Sequence, residues 1–185
     1  MISALSSGDP VIIPTDTVYG VAADPRVEGA TDRLFALKGR PPEKALPILG
    51  GSIETLRSVA VFDERAEDLA RRFWPGPLTL VLSRTDDCRW RLGGDDETTV
   101  AVRIPDHPLA LELLRSYGAL AVSSANRTGE PPATTAQMAQ KAFDTPPVAL
   151  DGGSCQGGTA STVLSLVGEP RILRAGDLSL EDLSL

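Results

Sequence analysis

Leu37-Lys38-Gly39-Arg40-Pro41 sets two cations around a glycine at the expected end of a helix. Roughly eighty residues further on, Ser123-Ser124-Ala125-Asn126 sets hydroxyls and an amide at the expected end of a strand. Two close cations with no carboxylate beside them suit an anion with several oxygens, such as a phosphate chain. The hydroxyls and the amide suit the orientation of the rest of a ligand. Neither stretch decides anything alone, because Lys38 and Arg40 read equally well as a solvated helix C-terminus, where cations meet the negative end of the dipole. Pro41-Pro42 then stiffens the exit and Lys44 adds a third cation, which is more than a helix end requires. Together the two stretches point to a nucleotide site on a small domain of α/β type.

The 185 residues suit a single domain over 1–185 with a real core, and 42% hydrophobic against 23% charged residues is a globular composition. No apolar run approaches the roughly 20 residues of a membrane span. The N-terminal stretch has neither a basic start nor a long apolar segment, so no secretory leader is expected. Cys88 and Cys155 are far apart and in no metal-like spacing, so a disulfide scaffold is not expected and the default location is cytoplasmic. The net charge of −7 argues against broad, nonspecific nucleic-acid binding. Arg33, Lys38, Arg40 and Lys44 nevertheless crowd into one window, while acids gather at Asp63-Glu64 and Asp95-Asp96-Glu97. An acidic chain with one basic window is the pattern of a focused anion pocket.

Strands are expected at Val11–Ile13, Leu46–Leu49, Leu78–Leu82, Thr99–Ile104, Ala119–Val122, Val148–Leu150, Ser161–Leu166 and Arg171–Leu173. Helices are expected at 30–38, from a Ser52 cap through Leu56, over Asp63–Phe73, over Pro108–Tyr117 with Gly118 at its end, and over Thr135–Phe143. Strands and helices alternate without strict regularity, which gives a mixed, twisted sheet with helices packed on it.

Pro14-Thr15-Asp16-Thr17-Val18-Tyr19-Gly20 reads as a polar turn. It is either a locally bonded Asx or Thr turn or, by its place past a strand end, part of a ligand crevice with Thr17 and Tyr19 facing a small polar ligand. Alternation in Thr99-Val100-Ala101-Val102-Arg103 puts Thr99, Ala101 and Arg103 on one face. Arg103 is then either a surface arginine or a buried one that needs an anionic partner such as a bound carboxylate. The glycine-rich run from Asp151 to Thr162 contains no Walker or Rossmann pattern and reads as a lid or as a plain long loop. His107 is the only histidine, which disfavours a histidine-based triad or an all-histidine metal site. Ser124 lacks a base, so any chemistry depends on positioning and charge neutralisation.

In this order the pieces resemble the YrdC/Sua5/YciO family, from about Pro14 to Gly176. The landmarks are Pro14–Gly20, Lys38-Gly39-Arg40-Pro41, Trp74-Pro75-Gly76-Pro77-Leu78-Thr79, Val100–Pro105, Ser124-Ala125-Asn126, Ser161-Thr162-Val163 and Arg174-Ala175-Gly176. The resemblance implies an α+β (α/β-type) fold, a YrdC-like twisted mixed β-sheet flanked by helices with a concave cationic pocket. It also implies L-threonylcarbamoyladenylate synthase activity, which converts L-threonine, bicarbonate (or CO2) and ATP to threonylcarbamoyl-AMP and pyrophosphate. That product feeds the N6-threonylcarbamoyl modification of adenosine 37 in tRNA, completed by partner transfer proteins. By this likeness Arg40, Lys44, Thr99, Ser124, Asn126 and Arg174 contact ATP. Lys38, with Arg40, stabilises the phosphates as pyrophosphate leaves. Thr17, Arg103, Val122 and Ser161 hold L-threonine, with Arg103 on its carboxylate. Mg2+ accompanies ATP, and no protein metal site is expected.

The chain departs from the family pattern at two places. Many threonine-using members carry Pro-Leu-x-x-His after the Lys-x-Arg-Pro run, whereas here the stretch is Ala45-Leu46-Pro47-Ile48-Leu49. Many also carry serine where Pro132 stands. With Leu185 as its last residue, the chain is expected to be the short form, without the extra C-terminal domain of the longer Sua5 type. Two alternatives stand beside the synthase: a YciO-like nucleotide-binding relative with another acceptor, and a module for double-stranded RNA.

Overall fold

The computed structural model describes residues 1–155 and 158–184. Among these, nine strands form one sheet: β1 (Val11–Ile13), β2 (Gly20–Ala23), β3 (Ile48–Leu49), β4 (Leu78–Ser83), β5 (Thr99–Arg103), β6 (Leu120–Ser124), β7 (Val148–Ala149), β8 (Thr162–Ser165) and β9 (Arg171–Arg174). Their order is β7-β1-β2-β6-β3-β5-β4-β8-β9. Parallel pairs (β1 with β7, β3 with β5, β4 with β8) occur among antiparallel ones, so the sheet is mixed. The helices are α1 (Ile2–Ser6), α2 (Ala30–Lys38), α3 (Ile53–Arg57), α4 (Glu64–Phe73), α5 (Pro108–Tyr117), α6 (Ala136–Lys141) and α7 (Leu180–Leu183).

The helix ends follow local chemistry. The side chains of Ser52, Asp63 and Thr135 accept hydrogen bonds from the third amides of α3, α4 and α6, satisfying donors with no partner inside the helix. α2 stops at Gly39, whose φ of 56° lies in the left-handed region that favours glycine. Three elements were not expected: α1, α7 and β2. Gly20-Val21-Ala22-Ala23 is buried on both faces, so it carries no polar alternation to announce a strand. β3 is shorter than its apolar run, since Pro47 has no amide to give and the Leu46 amide goes to Leu92 O.

Side-chain alternation divides the core in two. Val11, Ile13, Ala22, Leu120 and Val122 pack with Leu5 of α1 and Leu113 and Leu114 of α5. Ile12, Val21, Ala121, Leu78, Leu80, Val100, Val102 and Leu164 belong to the larger cluster, with Leu34 of α2, Leu69 of α4 and Ala139 of α6. The first face is therefore covered by helix only over part of its width. Along β4, β5 and β8 the residues between those core positions, Thr79, Ala101, Arg103 and Val163, line a cavity instead. No helix among the described residues is long and apolar enough to cross a membrane.

Candidate active site

The cavity is about 250 Å³. Its walls come from the Thr15–Gly20 turn, the Arg40–Leu49 segment, the end of β6, and the strands β4, β5 and β8 with Arg174 of β9. Segments more than a hundred residues apart thus meet at one hollow. Of the residues expected to bind ligand, Thr17, Arg40, Arg103, Val122, Ser124, Ser161 and Arg174 line it.

Arg103 is 5% exposed and fully engaged on three sides. Its Nε donates to Gly76 O at 2.9 Å, Nη1 to Thr17 Oγ1 at 3.0 Å and Nη2 to Asp16 Oδ1 at 2.6 Å. Asp106 N donates to the same Asp16 oxygen at 3.0 Å. The anionic partner that a buried arginine needs is therefore supplied by the chain itself. A guanidinium has five N–H donors, so two are left for a ligand. Burial lowers the Arg103 pKa from its ordinary value, and the Asp16 carboxylate opposes that shift.

Arg40 is held by its own loop: Nε donates to Lys44 O at 2.9 Å and Nη2 to Ala45 O at 2.8 Å. Nη1 reaches Ser123 Oγ at 3.4 Å. Arg174 donates twice to Ser161 O and once to Ser161 Oγ, at 2.7 to 3.0 Å. Burial, then the charge of Arg174, lowers the Arg40 pKa, while burial, then the charge of Arg103, lowers that of Arg174. Three guanidiniums around one hollow, with Arg174 lowering Arg40 and Arg103 lowering Arg174, mark a place where negative charge is favoured.

Lys38 lies behind this wall. It is 3% exposed, and Nζ donates to Ser124 O and, at 2.6 Å, to Asn126 O. Burial, with the charge of Arg40 second, lowers its pKa to about 8. Its ammonium therefore ties the last turn of α2 to the β6 exit and fixes the backbone that presents Ser124. Asn126 is behind the wall too, with Nδ2 donating to Arg127 O and Glu130 O, each at 2.8 Å. Lys44 contributes its carbonyl to Arg40 while its side chain is exposed. Thr99 shares the cavity face of β5 but sits at the other end of the strand from Arg103, opposite Ser83.

The sequence assigns no role to two participants, Thr79 and Asp16. Thr79 lines the cavity and shares a hydrogen bond with Ser161 Oγ at 2.8 Å. As the lone polar residue inside Leu78–Leu82, it carried a readable signal. Asp16 sits in a quoted turn, yet its pairing with Arg103 spans 87 positions and has no local sign. Tyr19 lines the cavity, but its hydroxyl donates to Gly153 O (2.7 Å) and accepts from Gly152 N (3.0 Å), anchoring the glycine-rich run. Within that run Gln156 and Gly157 lie outside the described residues.

Among the described residues no three or more His, Cys, Asp or Glu side chains gather as a metal site would require. The carboxylate bonded to a cavity arginine, Asp16, is already engaged by Arg103. These donors among the described residues do not build a resident magnesium site.

A family model for Sua5, YciO and YrdC, described as "Telomere recombination", matches residues 3–176. The chain belongs to the Sua5/YciO/YrdC family. A relative in Mycobacterium tuberculosis, named putative threonylcarbamoyl-AMP synthase, is 40% identical over 183 residues, covering 97% of this chain and 84% of the relative. The threonylcarbamoyl-AMP synthase of Pyrococcus abyssi is 42% identical over 184 residues, and this chain spans about half of it (54%). The crystal structure of P. abyssi Sua5 complexed with L-threonine superposes with a TM-score of 0.93 at 40% identity, covering 99% of this chain and 55% of that one. The E. coli YciO structure shares the fold, with a TM-score of 0.88 at 20% identity over 98% of this chain and 90% of that one. The first of the two departures from the family pattern, Leu49, lies on the cavity wall, where it is 5% exposed.

Proposed function

We propose that this protein is an L-threonylcarbamoyladenylate synthase, making threonylcarbamoyl-AMP and pyrophosphate from L-threonine, bicarbonate or CO2, and ATP. The observation that carries this reading is the sharing of one cavity by Arg40, Arg103 and Arg174, with Asp16 as the carboxylate bonded to Arg103 alone. The names of the relatives support the same conclusion.

Both reactants are anions. The threonine amine captures CO2, loses a proton and becomes a carbamate. A carbamate oxygen then attacks the α-phosphorus of ATP, and the bond to the leaving pyrophosphate breaks. Bringing a carbamate and a triphosphate together in water is opposed by their like charges, and fixed guanidiniums in a part-buried hollow lower that barrier. In this assignment Arg103 and Thr17 take the threonine carboxylate, with Ser161 and the Val122 segment beside them. Arg40, Ser124 and Arg174 take the phosphates. Lys38 and Asn126 act as positioning residues that hold the Ser124 turn, and Lys44 holds Arg40 through its carbonyl. Thr99 lies on the face toward which the nucleotide extends. Mg2+ arrives with ATP. The product then passes to transfer proteins that act on tRNA in the cytoplasm.

The experiment incubates the protein with ATP, bicarbonate, Mg2+ and L-threonine and follows pyrophosphate. Release that requires threonine supports the synthase. Nucleotide binding without threonine-dependent release supports a relative with another acceptor, the reading that Leu49 on the cavity wall favours. Salt-sensitive binding of double-stranded RNA with neither would move the function to RNA.

A further inference from the structure

Arg40 sits on a loop bonded to a segment with a glycine pair, Gly93-Gly94, that does not line the cavity. Residues 40–46 form a closed loop whose own carbonyls, Lys44 O and Ala45 O, hold the Arg40 guanidinium. That loop is tied to the segment Leu92–Gly94, some fifty residues later, at both ends. Gly94 N donates to Pro42 O at 2.7 Å, and Leu46 N donates to Leu92 O at 2.7 Å. The approach is closer than a side chain permits. A Cβ at Gly93 would lie 2.6 Å from both Pro42 O and Phe35 Cζ, and one at Gly94 would lie 2.9 Å from Ala45 Cβ. Both glycines have φ in the left-handed region, 69° and 93°.

We propose that Gly93-Gly94 is a strap that positions Arg40 for the triphosphate. The inference rests on the assignment of Arg40 to ATP and names what makes that arginine effective. The loop is otherwise poorly anchored: Pro41 through Ala45 are all exposed and add no apolar side chain to the core. Without the strap, the two carbonyls that orient the guanidinium move with the loop. A flexible cation must be ordered on binding, and affinity falls.

The test uses the full chain and four proteins: wild type, Gly93→Ala, Arg40→Ala and the double variant. Gly94→Ala replaces Gly93→Ala should the latter not fold, since its added methyl comes closest to the Ala45 methyl, at 2.9 Å, rather than to a backbone oxygen. Hydrogen exchange of the 40–46 amides reads the strap without any ligand, and the Leu46 amide is expected to lose protection in Gly93→Ala. Affinity for Mg·ATP reads the consequence, and Gly93→Ala is expected to weaken it about tenfold, the size of one charge-assisted hydrogen bond. In the Arg40→Ala background the same substitution is expected to change affinity less than twofold, because the strap acts through Arg40. The KM for threonine should stay within about twofold, a split that general damage to the fold would not give. Unchanged exchange at 40–46 overturns the strap whatever the ligand. Equal losses in both backgrounds, or altered exchange with unchanged nucleotide affinity, overturn its link to Arg40. Wild type that binds no nucleotide at all refutes the functional assignment and the link with it, while the exchange data still decide whether the strap exists.

Discussion

Replacing Lys38 by methionine separates the two opposing effects of a buried cation. In the folded chain its pKa is lowered to about 8 from the ordinary lysine value of 10.5, with burial as the main cause and the Arg40 charge second. A difference of that size corresponds to about 3 kcal/mol. The same ammonium donates to Ser124 O and Asn126 O, and hydrogen bonds from a charged donor contribute roughly 1.5–3 kcal/mol each. Below pH 8 the folded and unfolded chains both hold the proton, and the folded state bears the full penalty of the buried charge. Between pH 8 and 10.5 the unfolded chain still binds the proton while the folded chain releases it, so stability rises with pH through that window. A neutral amine keeps two N–H groups and still serves both carbonyls.

The stability of wild type over Lys38→Met is therefore small near pH 7.5 and larger by about 3 kcal/mol at pH 10.5. The assay is urea denaturation of both proteins at half-unit pH steps. With a slope of roughly 2 kcal/mol per molar urea for a chain of this size, the gap in midpoints should widen by about 1.5 M. Using the difference removes every titration that the two proteins share. A gap that stays constant within about 1 kcal/mol from pH 7.5 to 10.5 refutes the claim that Lys38 is a buried, destabilised cation held for the sake of the Ser124 turn.

Three further outcomes follow from the same geometry. Arg103→Ala removes the group assigned to the threonine carboxylate, so the KM for threonine should rise about 30-fold or more, with the KM for ATP within about threefold, as read from threonine-dependent pyrophosphate release. With Mg2+ assigned to the ATP, chelation with EDTA should abolish turnover and excess Mg2+ should restore it; with no carboxylate cluster among the described residues, calorimetry should detect no Mg2+ binding tighter than about 1 mM without nucleotide. Tyr19→Phe loses the hydroxyl that bridges Gly152 N and Gly153 O, which should lower stability by about 1–2 kcal/mol and speed proteolysis within the glycine-rich run, measured by thermal melting and mass mapping of the nicks.

What was legible in the sequence was what depends on neighbours in the chain. Asp63 three residues before Ala66, Ser52 before Thr55 and Gly39 after Lys38 each mark a helix end through a bond or dihedral that is local. The period-two reading of Thr99–Arg103 put Arg103 on the face that now lines the cavity. Legibility failed where the deciding contact is remote. Nothing near Lys38 in the sequence shows that its ammonium is capped by carbonyls 86 and 88 positions away. Asp16 was passed over as a turn residue for the same reason, and its partner is 87 positions away. β2 was invisible because a strand buried on both faces has no alternating pattern. The family resemblance supplied the grouping of Arg40, Ser124 and Arg174, which no spacing in the sequence dictates.

The most direct measurement follows carbon from bicarbonate. Protein, Mg·ATP, L-threonine and 13C-bicarbonate are mixed, quenched cold and examined by mass spectrometry. A species with the mass of threonylcarbamoyl-AMP, heavier by one unit than with ordinary bicarbonate and formed together with pyrophosphate, is the predicted result. Nucleotide that stays intact, or is cleaved without taking up the label, would contradict the claim that this cavity joins a carbamate to an adenylate.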